Sequence, residues 1–216
     1  VHEYCGKYYL FGTCKNTAQG MGTVILCCDT PDGRFVPLSD TPVTPSDWMS
    51  LDGTLWVENG VPHMVFCHEW SPVGDGQICA LRLSDALTSA IGEPLLLFRA
   101  SDNPFIRRDT PGPYVTDGPF LFREDGKLRM IWSSFDRNGR YVVLEAEADA
   151  LAGPWTHKDS RFPFDGGHAM LFETLDGERM TNEYMNCEIN ISHIAQGVQV
   201  ADNGDNPLAA RGWPVN

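Results

Sequence analysis

Two carboxylates and a histidine recur at one place in a repeated pattern, and they are the residues of this chain best suited to chemistry. Asp52 opens Asp52-Gly53-Thr54-Leu55-Trp56-Val57, Asp117 opens Asp117-Gly118-Pro119-Phe120-Leu121-Phe122, and His168 stands in Gly167-His168-Ala169-Met170-Leu171-Phe172. Each precedes a short apolar run that a turn glycine closes; after Asp52 and Asp117 a second apolar run returns, whereas Asn182 to Asn190, where the His168 copy should return, is polar. The returning runs end in His68-Glu69-Trp70 and in Trp132-Ser133-Ser134. Carboxylates that share a pocket with a histidine and exposed tryptophans suit a sugar: acids and bases move protons, and indole faces cover the apolar side of a furanose or pyranose ring. On this reading Asp117 and Asp52 are the catalytic candidates. His168, His68, Glu69, Trp70 and Trp132 are the candidates for binding substrate. Glu69 is also the strongest rival acid, with a rim salt bridge as its plainer role.

The elements that must position these groups are hairpins. The turn glycine lies eight residues beyond Asp52 and nine beyond both Asp117 and His168, so the three copies align almost without gaps. Asn59-Gly60 and Asp125-Gly126 between β-rich runs supply the positive φ that two-residue hairpin turns need. A fourth copy shows only its second half, at Cys5-Gly6-Lys7-Tyr8-Tyr9-Leu10-Phe11, which places its opening position ahead of Val1. Further strands are expected at Gly22 to Cys28, Gln77 to Leu83 and Arg140 to Ala146, then around Pro94 to Arg99 and Trp155 to Lys158. Helical periodicity is nearly absent, with one turn expected at Ser84 to Ser89.

Four short antiparallel strands repeated along a chain are blades of a β-propeller. The expected fold is all-β, a five-bladed propeller type of which about three and a half to four blades are recognisable over residues 1–180. Residues 181–216 read as an atypical tail. The first strand of each blade lines the central channel, so Asp52, Asp117 and His168, taken as equivalent positions, are expected to converge at one mouth. Asp-Gly occurs seven times in the chain, so most of these pairs are turns; Asp125 and Asp176 sit at the far hairpin turn and are structural.

The motifs at Leu51-Asp52-Gly53-Thr54, Met64-Val65-Phe66-Cys67-His68-Glu69-Trp70, Thr116-Asp117-Gly118-Pro119 and Gly166-Gly167-His168-Ala169-Met170 resemble those of the family 43 glycoside hydrolases. The resemblance covers roughly residues 4 to 180. It implies a five-bladed propeller that hydrolyses O-glycosidic bonds of arabinose- and xylose-containing glycans with inversion, as an exo-acting arabinofuranosidase or xylosidase. By position, it implies Asp117 as general acid, Asp52 as the carboxylate that tunes and orients it, and His168 as the central histidine near a bound water or metal ion. A Ca²⁺ at the channel centre would have His168 beside it; no other cofactor is implied. Inversion also needs a base about 6.5–9.5 Å from the acid, and the family's base position falls ahead of Val1. The family acid is usually Glu, and Asp117 is one methylene shorter. These two departures keep open an alternative, a catalytically impaired or non-catalytic glycan-binding propeller.

Composition narrows the partners. A formal charge of −13 over 216 residues, with no basic cluster, argues against nucleic acid. No apolar run approaches the length of a membrane span. Seven cysteines without a CxxC pair suggest buried thiols rather than a disulfide framework or zinc site, and with no visible signal peptide they lean towards a cytoplasmic setting. The expected partner is an oligo- or polysaccharide; nothing in the sequence bears on oligomeric state.

Overall fold

The computed structural model describes residues 1–16, 20–106, 114–160, 166–173 and 179–180, all within the compact unit Val1–Asn186. The tail expected over 181–216 lies outside the described residues. Three four-stranded sheets follow one another along the chain, each in simple up-and-down order. The first contains β1 (His2–Tyr4), β2 (Lys7–Asn16), β3 (Gly20–Cys28) and β4 (Val36–Pro37). The second contains β5 (Ser50–Glu58), β6 (Val61–His68), β7 (Gln77–Arg82) and β8 (Leu95–Arg99), and the third β9 (Asp117–Glu124), β10 (Lys127–Phe135), β11 (Tyr141–Ala148) and β12 (Thr156–Ser160). A two-stranded piece, β13 (Phe172–Glu173) with β14 (Arg179–Met180), follows. These are propeller blades, as the repeat predicts.

Turn chemistry sets the hairpins. Both central residues of Cys5-Gly6, Asn59-Gly60 and Asp125-Gly126 have positive φ, the conformation that matches the twist of the flanking strands. Burial then follows the two-residue strand period. On β6, Met64 and Phe66 pack with Tyr9, Ile25 and Leu55 towards the first sheet, while Val65 and Cys67 pack with Leu121, Met130 and Trp132 towards the third. On β10, Met130 and Trp132 face the second sheet, and Ile131 faces Ala169 and Leu171. β6 and β10 are thus buried on both faces. That is why Met64-Val65-Phe66-Cys67 reads as an unbroken apolar run rather than an alternating one. Trp56 and Phe120 pack against the clusters between sheets.

Two local expectations change. Ser84 to Ser89 does not form a helical turn. Leu83 pairs with Ala90, the Ser84 N–H donates to Ser89 O at 2.9 Å, and Ser84 Oγ accepts from the N–H groups of Thr88 (3.2 Å) and Ser89 (3.3 Å). This closed loop drives Leu87 fully into the core. A serine side chain that satisfies two backbone donors offers the chain an alternative to helix. The single α-helical turn among the described residues is instead α1 (Trp70–Val73), directly after β6, with the Glu69 carboxylate accepting from Ser71 N–H at 3.3 Å.

Candidate active site

The site is built where β5 and β9 begin. Both strands carry the same irregularity: the register slips between Leu51 and Thr54 on β5, and between Asp117 and Phe120 on β9 where they oppose Ser133 and Ile131. Leu51 pairs with Cys67 and Asp117 pairs with Ser133, so these two are the structural equivalents. Asp52 therefore corresponds to Gly118, one residue further on. The backbone agrees, since Asp52 (φ 57°), Gly118 (φ 51°) and His168 (φ 58°) share the left-handed conformation. The expectation that Asp52 and Asp117 occupy equivalent positions is corrected by one residue. A bulge carries an extra residue that re-aims its neighbours, and an Asp-Gly pair on either side of that residue looks the same in sequence.

The offset is what joins the two carboxylates. Asp52, whose residue type tolerates the left-handed region, donates its own N–H to Thr13 Oγ1 of β2 at 3.0 Å. Its Oδ2 reaches across to the third sheet and accepts from Gly118 N–H at 3.0 Å, next to Asp117. Its Oδ1 lies 3.9 Å from His168 Nε2. The Asp117 Oδ2 accepts from the Tyr141 phenol at 2.7 Å. Burial pushes the Asp117 carboxyl above the usual range, the Tyr141 hydrogen bond opposes this, the Asp52 charge adds to it and His168 opposes it. Glu69 is half-buried at the end of β6 and is also raised, first by burial and further by the charges of Asp117 and Asp52, against hydrogen bonds from Ser71 and Trp70. Behind the aspartates, buried Cys67 is held as a thiol by burial and by both carboxylates.

A cavity of about 330 Å³ lies along the channel side, lined by Thr13, Asp52, Thr54, Phe120, His168 and Met170 among others. His168 is open to it, with 58% of its side chain exposed. Trp70 is half-buried on α1.

Two predicted binding residues stand elsewhere. Trp132 is 0% exposed and packs with Phe98 (ring centroids 5.5 Å apart) and His157 (6.4 Å) between the second and third sheets. It cannot stack on a sugar, because the strand period that turns Ser133 towards the mouth turns Trp132 into the core. His68 is 8% exposed, with its ring stacked on Trp48 at 3.9 Å and burial lowering its pKa. The ring presented on that side is that of half-buried Trp48, which lies in the segment before β5 and carries no sequence signal. Tyr141 was not among the expected residues either. Its place as the first residue of a strand that starts at the mouth was the available signal.

Among the described residues, no group of three or more His, Cys, Asp and Glu side chains is arranged to hold a metal ion. Near His168 the Asp52 carboxylate lies 3.9 Å from Nε2, and no catalytic step is routed through a metal. No helix among these residues is long and apolar enough to cross a membrane.

Comparison with known proteins adds the family context. The sequence pattern of the family described as Glycosyl hydrolases family 43 matches residues 1–193. No curated protein matches the chain. Among solved structures, the chain is similar to an endo-arabinase from Bacteroides thetaiotaomicron, with 43% identity and a TM-score of 0.78 over 84% of this chain and 67% of that one. It is similar in fold to an alpha-L-arabinofuranosidase from Lactobacillus brevis (20% identity, TM-score 0.63, 83% of this chain, 62% of that one). A xylan beta-1,4-xylosidase from Bacillus halodurans shares the fold likewise (17%, 0.58, 83% and 35%). The chain thus spans between about a third and two thirds of the length of these relatives.

Proposed function

The chain belongs to glycosyl hydrolases family 43, and on that premise we propose that it hydrolyses glycosidic bonds of arabinose-containing glycans with Asp117 as the general acid and Asp52 as the carboxylate that tunes it, the attacking water passing its proton to a separate base carboxylate that neither aspartate supplies. The observation that carries this reading is the link between the two carboxylates: Asp52 Oδ2 is bonded to the backbone immediately after Asp117. A proton donor must be protonated when substrate arrives, and burial together with the Asp52 charge raises Asp117 for that task. Asp117 delivers the proton to the leaving-group oxygen. Asp52 orients the strand that carries Asp117 and holds its proton on. His168, which lines the cavity beside Asp52, is the side chain proposed to contact the sugar. The greater likeness to an endo-arabinase favours arabinan over xylan, and internal bonds over the terminal bonds that an exo-acting enzyme would cut.

The test is hydrolysis of debranched arabinan, with nitrophenyl arabinofuranoside and nitrophenyl xyloside as exo-type probes. Release of short arabino-oligosaccharides that Asp117→Asn abolishes is the expected result. Unchanged turnover in that variant would remove Asp117 from the mechanism. Calorimetric binding of arabinan without turnover would favour the non-catalytic glycan-binding alternative. Glu69 supports a second reading of the donor: it is longer by one methylene, half-exposed, and raised by burial and by both aspartates.

A further inference from the structure

Hydrogen bonds tie Asp117 and its neighbours to the segment that carries His168. The His168 N–H donates to Ser133 Oγ at 2.6 Å. Ser133 lies beside the Tyr141 phenol, and that phenol donates to Asp117 Oδ2 at 2.7 Å. On the other side, the Gly118 N–H next to Asp117 donates to Asp52 Oδ2, and Asp52 Oδ1 lies 3.9 Å from His168 Nε2. From this we infer that Tyr141 is the positioning residue of the proton donor, and that it is set by the segment of chain carrying His168.

Three further features support the assignment. Tyr141 is the first residue of β11 and pairs with Phe135, the last residue of β10, so its backbone is anchored at the mouth. The Tyr141 carbonyl accepts from Gly166 N–H at 2.8 Å, which brings the segment before His168 onto the ring. A side chain at Gly167 would overlap the Tyr141 ring itself, so the space the ring occupies depends on that glycine. Burial, then the hydrogen bond to Asp117, raise the Tyr141 phenol far above its ordinary range. Tyr141 therefore stays a donor throughout the pH range of any assay.

The chemistry of this contact favours the transition state. While Asp117 carries its proton, the phenol donates to a neutral carboxyl. As the proton leaves for the glycosidic oxygen, the same bond becomes charge-assisted and strengthens. Losing a hydrogen bond to a charged group corresponds to about a 10- to 100-fold change in rate.

This inference rests on Asp117 being the donor, and its test separates the two ideas. In Tyr141→Phe the ring and its packing remain and only the phenol is lost. The Asp117 carboxyl, followed by carbon-detected NMR titration, is expected to titrate at higher pH than in the native protein, because a donor that favours its charged form is gone. With arabinan as substrate, kcat is expected to fall about 10- to 100-fold while KM changes little, and the basic limb of the pH profile to move up. Gly167→Ala is expected to act in the same direction and to add little in the Tyr141→Phe background. An unchanged Asp117 titration in Tyr141→Phe would overturn the inference, whatever happens to activity. A shifted titration with a native rate in Asp117→Asn would instead keep the coupling and discard Asp117 as the donor.

Discussion

Replacing Asp52 should separate its structural work from its electrostatic work, because the structure gives it both. Its carboxylate is 16% exposed and makes one charge-assisted hydrogen bond, to Gly118 N–H at 3.0 Å, while its backbone sits at φ 57°. In Asp52→Asn the amide oxygen can still accept from Gly118, and Asn tolerates the left-handed region. The change is from a hydrogen bond with a charged group (about 1.5–3 kcal/mol) to a neutral one (about 0.5–1.5), a loss of about 1 kcal/mol. In Asp52→Ala the bond is lost outright and a Cβ residue without local hydrogen bonding is held at positive φ for about 1–2 kcal/mol more, giving roughly 2.5–5 kcal/mol in all. Asp52→Gly relieves that strain and should recover about 1 kcal/mol relative to Ala. Urea unfolding measures the series. Kinetics read the charge: Asp52 raises the Asp117 carboxyl, so removing the charge lowers it. The donor is active while protonated, and the basic limb of the rate profile of Asp52→Asn should therefore move to lower pH. Equal stabilities for Asn and Ala would refute the account of the bond and the backbone. A basic limb that stays put or moves up would refute the coupling of the two carboxylates.

Two other predictions address residues whose roles the structure redefined or contested. Trp132→Ala should destabilise the protein by about 3–5 kcal/mol, the usual range for a buried Trp. Trp132→Phe should stay within about 1 kcal/mol of native, because the lost apolar area (~50 Å², about 1 kcal/mol) is offset by removal of an indole N–H that has no hydrogen-bond partner among the described residues. Calorimetric affinity of Trp132→Phe for arabinan should equal that of the native protein, and a loss of binding at unchanged stability would return Trp132 to the sugar site. Glu69→Gln should lower the rate less than about 10-fold, against the ~10²–10⁴-fold expected for loss of a general acid at Asp117. A reversal of that order in steady-state kinetics would make Glu69 the donor.

Local patterns were enough for the architecture. The hairpins at Asn59-Gly60 and Asp125-Gly126 were legible because positive φ at both turn residues has a short list of residue types that accept it. The returning strands β6 and β10 were legible because each is buried on both faces and so reads as a continuous apolar run. The recurrence of these units, together with the motifs around Asp52, Asp117 and His168, was sufficient to indicate blades, a channel mouth and a glycosidase family.

The tertiary structure decided the rest, and in each case the missing information was non-local. Which residue of each Asp-Gly pair aligns with which depends on a bulge, a feature of backbone dihedral angles that carries no side-chain signature. Trp132 and Ser133 are adjacent, and only the register of β10 against β9 determines that the tryptophan enters the core while the serine faces His168. Asp52 meets its partner 66 residues away, and Asp117 meets Tyr141 across an intervening strand. Sequence spacing identifies groups that share a strand or a turn, but the contacts that set the chemistry of Asp117 run between strands and between blades, where position is fixed by packing rather than by spacing.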